Sequence, residues 1–308
     1  MNGSLDESLA IIVAMTEPAT PDFATKLSRF VEEAGPLGEV YVIDSSGGLS
    51  VEWLARKFPN VRVLYRPIGQ LAPQLWRDGL VRTESPLIAF TTSHMVLSAG
   101  WRTSLVNRLH ETNASGVGGP ISSGLKLSGI DRAVALFRYS SYFPPLPAAR
   151  EPQPPGDNAL YRRDRLEEVA ATWIDGFWEV EVHQALRDRG EVLAMTGLAL
   201  ATFEGGCHWR DMVVQRARHA RKFGAFRSKS MNPFVRLARV AACPLIFGLI
   251  CSRILRNLVS RRMSLIPWIS AGPGLVVLAS VWVLVEAWGT LVGSPVVSDK
   301  PRQTRINK

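Results

Sequence analysis

The feature that most constrains this chain is an alternation that fills its first ninety residues: short apolar runs rich in β-branched residues, each followed by helical periodicity. Leu9-Ala10-Ile11-Ile12-Val13-Ala14 is the first run, the pattern of a strand buried on both faces. A helix is expected directly after it, because Thr20 can cap it, Pro21 suits its first turn, and Phe23, Leu27, Phe30 and Val31 repeat at helical spacing. Residues 39–44, 61–65 and 87–90 read as further strands, with helices over 51–58 and 72–81 between them. This βαβαβαβ order predicts an α/β fold with a mostly parallel central sheet and flanking helices.

Sheets of that kind bind ligands beyond the carboxyl ends of their strands. The residues there are Thr16 and Glu17, Asp44, Arg66, and the run Thr91-Thr92-Ser93-His94. Asp44 reads equally well as a turn residue satisfying nearby amides and as a ligand contact. Further on, a helix is expected from Trp101 to His110, and Gly116-Val117-Gly118-Gly119-Pro120 reads as a tight turn or short strand. It is not a phosphate loop, since both the dinucleotide glycine spacing and a Gly-Lys-Ser/Thr ending are missing. Six prolines between Pro144 and Pro155 mark a long loop, a β pair is expected across 192–203, and a basic helix across 208–223.

Between those last features, residues 176–190 read as a helix stopped at Gly190, with Glu179 and Glu181 in its first turn. Acidic residues there are favoured by the helix dipole alone. Phe177 and Trp178 add apolar bulk beside Glu179, so the same carboxylate can be partly desolvated and serve as a general base.

Net charge is +9, but its distribution says more than its size. Residues 208–262 carry 13 Lys and Arg against one acid, Asp211, while residues 1–207 carry 19 bases and 24 acids. The basic block runs into the most apolar part of the chain, which favours an anionic membrane surface over nucleic acid as partner. Residues 271–293 are apolar except for Glu286 and long enough for a transmembrane helix, whereas the shorter run 240–251, bounded by arginines, reads as interfacial. The start of the chain lacks a basic, signal-peptide-like n-region, so the expected location is the cell (inner) membrane with the α/β part on the cytoplasmic side. Three cysteines, Cys207, Cys243 and Cys251, give neither a disulfide framework nor a zinc spacing.

Over roughly residues 8–225 the order of parts resembles the family 2 glycosyltransferases, inverting nucleotide-sugar enzymes of the GT-A fold. The Thr16-Glu17 strand end and Val42-Ile43-Asp44-Ser45-Ser46 are similar to its nucleotide-contacting segments, and residues 156–163 to its glycine-asparagine-arginine segment. Trp178-Glu179 stands where the family has Glu-Asp, and Gln215-Arg216-Ala217-Arg218-His219 resembles its Gln-x-x-Arg-Trp element. The resemblance implies a nucleotide-sugar glycosyltransferase domain over 1–225, a basic interfacial segment over 226–263, a transmembrane helix over 264–294 and a polar tail over 295–308. It implies Glu179 as catalytic base, donor contacts from Thr16, Glu17, Asp44, Arg66, Asp157, Asn158, Arg162, Gln215 and Arg218, and a lipid-linked or membrane acceptor. The sequence departs from the family at Thr92-Ser93-His94, where a metal-binding Asp-x-Asp is expected, leaving His94 as the one candidate ligand for Mg²⁺ or Mn²⁺. That departure keeps open a second reading, a non-catalytic descendant of the fold that binds a nucleotide or a partner.

Overall fold

The computed structural model describes residues 7–48, 56–146, 153–229 and 231–293. Most of the helix expected over 51–58, Pro147 and Pro152 of the proline-rich stretch, and the tail over 295–308 lie outside those residues.

The N-terminal alternation folds as its pattern requires. Strands β1 (Leu9–Met15), β2 (Glu39–Asp44), β3 (Val61–Tyr65) and β4 (Leu87–Thr92) pair in parallel, in the order β3-β2-β1-β4. Helices α1 (Phe23–Ala34) and α2 (Ala72–Leu80) make two of the crossovers. Successive side chains of a strand point to opposite faces, so β1 feeds two cores. Leu9, Ile11, Val13 and Met15 pack with Phe23, Leu27 and Phe30 of α1. Ala10, Ile12 and Ala14 pack with Leu75, Trp76 and Leu80 of α2. Such two-sided burial explains why β1 reads as a continuous apolar run rather than an alternating one.

The sheet grows to seven strands beyond β4. β8 (Asn158–Arg162) lies antiparallel to β4, β6 (Gly116–Gly118) antiparallel to β8, and β9 (Leu193–Met195) parallel to β6. A separate three-stranded sheet has the order β5-β10-β7, from β5 (Met95–Leu97), β7 (Ile121–Ser123) and β10 (Ala201–Phe203). The pair expected across 192–203 does not form, because β9 and β10 sit in different sheets. Each strand is three residues long, and spacing alone does not identify partners 75 or more residues away.

Helices α3 (Trp101–Glu111) and α4 (Gly129–Tyr139) cover the first core face. The short α5 (Arg163–Glu168) and α6 (Glu179–Asp188) join the second. The basic helix α7 extends from Trp209 to Ser228, followed by α8 (Pro233–Ala241), α9 (Cys243–Ser260) and α10 (Gly272–Val292). Two stretches, Cys243–Ser260 and Ile266–Val292, are long and apolar enough to cross a membrane. The run expected as interfacial over 240–251 thus straddles the junction of α8 and α9, its residues from 243 on belonging to the longer helix.

Along its whole length, one face of α10 rests on the α/β domain. Trp282 meets Phe137 of α4 and Phe223 of α7, with ring centroids 5.8 and 5.6 Å apart. At Gly224 an added methyl group lies 2.1 Å from the Glu286 carbonyl oxygen, and at Gly289 another lies 2.3 Å from that of Arg221. Both glycines exist to let the two backbones approach. Gly224→Ala is therefore expected to lower stability by about 1–3 kcal/mol through overpacking. Gly248→Ala on α9, which meets nothing within 4 Å, is expected to gain about 0.5–1 kcal/mol from helix propensity. Thermal unfolding of the two variants in one detergent reads the contrast, and equal melting shifts would contradict the α7–α10 contact.

Candidate active site

The start of α6 is fixed from beneath. The Phe177 amide donates to the Pro73 carbonyl at 2.7 Å, and its ring lies 4.4 Å from that of Phe90 and 5.2 Å from that of Tyr161. This packing sets the entrance of the helix on β4 and β8, two residues before Glu179. Gly156, at the start of the segment leading into β8, donates its amide to Glu179 Oε1 at 3.2 Å. A methyl group at Gly156 would lie within 2.8 Å of both Glu179 and the Trp76 ring, so glycine is required there by space.

Glu179 lines a cavity of about 550 Å³ between the α/β domain and the C-terminal helices. The domain side sets Arg138 at the end of α4, Asp157 just before β8, and Arg216 and His219 on α7 among the aromatic rings of Phe137, Tyr142 and Phe223. The Arg138 Nη2 group donates to both Asp157 oxygens, at 3.0 and 2.7 Å. The far side combines apolar Ile246, Leu249, Ile250 and Trp282 with Arg239 and Arg253. Burial, then the Asp157 charge, push the Glu179 carboxyl above its ordinary range. Burial, then Arg138, bring the Arg216 guanidinium down to about 9 and leave it ready to gain from an anion. Burial, then Arg216, hold the His219 imidazole well below its ordinary value and hence neutral.

A second group gathers at the carboxyl ends of β1, β2 and β4. Asp44 accepts from the Ser46 amide at 2.7 Å through Oδ1, while Oδ2 is buried without a partner. Arg66 follows β3 and donates to Asp78; Arg218 donates to the Gly69 carbonyl in the next loop. Thr16 and Glu17 follow β1, and His94 follows β4. Burial, then Asp211, push the Glu17 carboxyl up to about 7, and burial brings His94 down to about 4.

Not every residue singled out in the sequence joins these groups. Asn158 is fully buried and committed to the fold, accepting from Trp101 Nε1 at 2.6 Å and donating to the Pro120 and Ala199 carbonyls. Arg162 pairs in register with Leu87 at the start of β4, four residues and roughly 13 Å of strand from Asn158. Its guanidinium serves the Ala114 carbonyl, away from Glu179. Gln215 is half-buried on α7. Conversely, Arg138, Arg216 and Cys207 were not singled out as site residues. Arg216 had a signal: Met212, Arg216, Ala220 and Gly224 recur every four residues, so it stands in the buried stripe of an otherwise charged helix.

A hard divalent ion of the Mg²⁺ class needs an oxygen cage, and Thr92-Ser93-His94 supplies no carboxylate for it. The buried neighbours of His94 are instead a carboxylate and a thiol, those of Glu17 and Cys207.

No family model and no curated protein sequence matches the chain. Among solved structures it is similar to a mannosyltransferase, PcManGT from Pyrobaculum calidifontis in complex with GDP-Man and Mn²⁺, at 16% identity and a TM-score of 0.52. That similarity covers 93% of this chain and 87% of the other. The likeness extends over the C-terminal helices as well as the sheet domain, and it places this mixed α/β fold beside that of a glycosyltransferase.

The Arg138–Asp157 pair is the electrostatic hinge of the cavity, and removing one partner strands the other in a buried site. Asp157→Ala is expected to destabilise the protein by about 3–5 kcal/mol. Arg138→Met in the same chain is expected to recover much of that loss, so a double-mutant cycle in urea should show strong coupling. Additive losses would mean that the pair carries no interaction energy.

Proposed function

We propose that the protein is a family 2, GT-A-like glycosyltransferase that moves a sugar, with inversion, from a nucleotide-sugar donor to a membrane-borne acceptor hydroxyl. The observation that carries this reading is the position of Glu179: a carboxylate of raised pKa at a helix start, facing a cavity whose opposite wall is apolar and arginine-rich. A volume of about 550 Å³ suits a sugar and an acceptor head group. The similar mannosyltransferase, solved with GDP-Man, supports a nucleotide-sugar donor.

In this reading Asp44, Arg66, Glu17 and Thr16 border the nucleotide at the strand ends. Glu179 takes the acceptor proton as the hydroxyl oxygen attacks the anomeric carbon. Arg138 and Arg216 stand nearest to stabilise the negative charge that develops on the leaving diphosphate. Residues 1–225 carry the chemistry and the later helices the membrane contact. Exposed Phe234, Leu245, Leu249, Ile266 and Trp288 on those helices match a bilayer better than water. The inner membrane, with the α/β domain on the cytoplasmic side, is the location consistent with the basic block.

Glu179→Gln is expected to lower turnover about 10²- to 10⁴-fold while leaving donor affinity unchanged. Glu181→Gln, two residues further on the same turn and beside Lys222, is the control expected to retain wild-type turnover. A base works only when ionised, so the raised pKa places the acidic limb of the rate profile above 4.5, with activity falling as pH drops through it. That limb should vanish in Glu179→Gln. Donor turnover assayed with a panel of nucleotide sugars decides between this reading and the non-catalytic one, which the missing Asp pair at 92–94 favours: binding without hydrolysis or transfer selects the latter.

The membrane contact has its own test. The full chain should sediment with vesicles containing anionic lipid, and the apolar contact should hold it there after a high-salt wash. Complete release by salt would reduce the contact to surface charge.

A further inference from the structure

Three buried ligand atoms meet where β1, the β4–β5 turn and the segment before α7 converge. One ligand atom each from Glu17, His94 and Cys207 lies within 4.8 Å of the others. From this geometry we infer that Glu17, His94 and Cys207 form a binding site for a single divalent transition-metal ion of the zinc class. The site shares Glu17 and His94 with the strand-end group that the glycosyltransferase reading uses, but it is argued from the geometry of the three side chains and not from that reading.

The first argument is unmet bonding. Neither Glu17 oxygen nor His94 Nε2 makes a hydrogen bond of good geometry, although the His208 amide lies near enough to the buried Glu17 carboxylate to favour its charge. His94 Nδ1 lies 2.8 Å from the Gly205 carbonyl oxygen, which accepts only, so Nδ1 carries the hydrogen and the Nε2 lone pair is left bare. That lone pair lies 3.7 Å from Glu17 Oε2, too far for a proton shared in an ordinary hydrogen bond. Two electron-pair donors facing each other across such a gap, out of water, are costly unless the carboxyl is protonated or a cation lies between them. Ligand atoms at about 2.0–2.3 Å from a tetrahedral ion stand roughly 3–4 Å apart, close to the spacing found. A backbone carbonyl fixing the far nitrogen of a histidine is also the usual outer support of a metal-binding imidazole.

The second argument is the scaffold around Cys207. Gly205 and Gly206 have φ of +76° and +88°, a turn that L side chains rarely adopt. The turn carries the Gly205 carbonyl to His94 and brings Cys207 in behind it. Asp131 holds the turn from outside: its Oδ1 accepts from the Cys207 amide at 2.9 Å and its Oδ2 from the Ser128 hydroxyl at 2.6 Å. A methyl group at Gly205 would lie 2.6 Å from the Asp131 carboxyl carbon, so turn and brace fit only with glycine there.

The third argument is donor chemistry. Carboxylate oxygen, imidazole nitrogen and thiolate sulfur suit Zn²⁺, Co²⁺ or Fe²⁺, whereas Mg²⁺ and Ca²⁺ select oxygen. Three protein ligands leave a fourth position for an exogenous oxygen, the arrangement of an open rather than a closed zinc site.

The test uses the full-length, tag-free chain in detergent, stripped with chelator and dialysed. Titration with Co²⁺ should saturate at one equivalent and develop a thiolate-to-cobalt charge-transfer band. Zn²⁺ should displace the cobalt, and millimolar Mg²⁺ should not. Cys207→Ser should abolish the band, and His94→Gln and Glu17→Gln should each weaken Zn²⁺ binding by about 100-fold or more, beyond what loss of an outer-shell partner costs. Cys251→Ser should change nothing. Circular dichroism establishes that each variant is folded. No stoichiometric binding by the folded wild-type chain, binding untouched by Cys207→Ser and His94→Gln, or displacement by Mg²⁺ would each overturn the site. Sugar transfer is not a readout here, so zinc binding without transfer leaves this site standing and removes the proposed function, and transfer without zinc binding does the reverse.

Discussion

The site depends first on one buried ion pair, Arg138 with Asp157. Arg138 ends α4, which packs against α10, and Asp157 opens the segment entering β8, so the pair ties the C-terminal helices to the middle of the sheet. It also sets the local charge balance. Glu179 and Arg216 both feel Asp157 and Arg138, in opposite senses, and without the pair each would face an unbalanced neighbour. A buried pair of this sort stabilises little in itself, since desolvation consumes most of the attraction. Its worth lies in fixing where the remaining charges can exist.

A second buried carboxylate does the same for the helices. Glu286 is the one acid in α10, and it accepts from Arg239 Nη2 at 2.7 Å, from Arg227 Nη1 at 3.4 Å and from Trp282 Nε1 at 2.8 Å. Helices α7, α8 and α10 thereby share one polar point inside otherwise apolar contacts. Close backbone approach at Gly224 and Gly289 then sets how near α7 and α10 come. Polar registration and small-residue contact act on the same two helices, so neither can slide without breaking the other.

Strands β1, β2 and β4 were legible because burial on both faces forces a nearly continuous apolar run, whereas the edge strand β3, with Arg62 and Tyr65 exposed, was legible only from its place in the alternation. The expectation failed where an element is too short to carry a period. β9 and β10 look like adjacent halves of a hairpin, yet their partners are β6, β5 and β7, set by crossovers that leave no local trace. Site residues divide the same way. Asp44, Glu17 and His94 could be found by position, because strand ends are where such sheets bind ligands. Arg138 could not, since a lone arginine at the end of an apolar helix looks like a solvated last turn; only the fold brings Asp157 to it. Arg162 fails for a related reason. It lies one strand length from Asp157 in a segment that reads as continuous, and only the direction of β8 shows which end faces the site.

Leu249 of α9 lines the cavity and is also more than half exposed. The wall of the chamber is therefore continuous with exposed apolar surface at this point. On the function proposed above, an acceptor held in the lipid reaches Glu179 by lateral diffusion and never crosses water. Encounter becomes a two-dimensional problem: the relevant concentration is the mole fraction of acceptor in the membrane, and diluting it with inert lipid slows the reaction even at constant bulk amount.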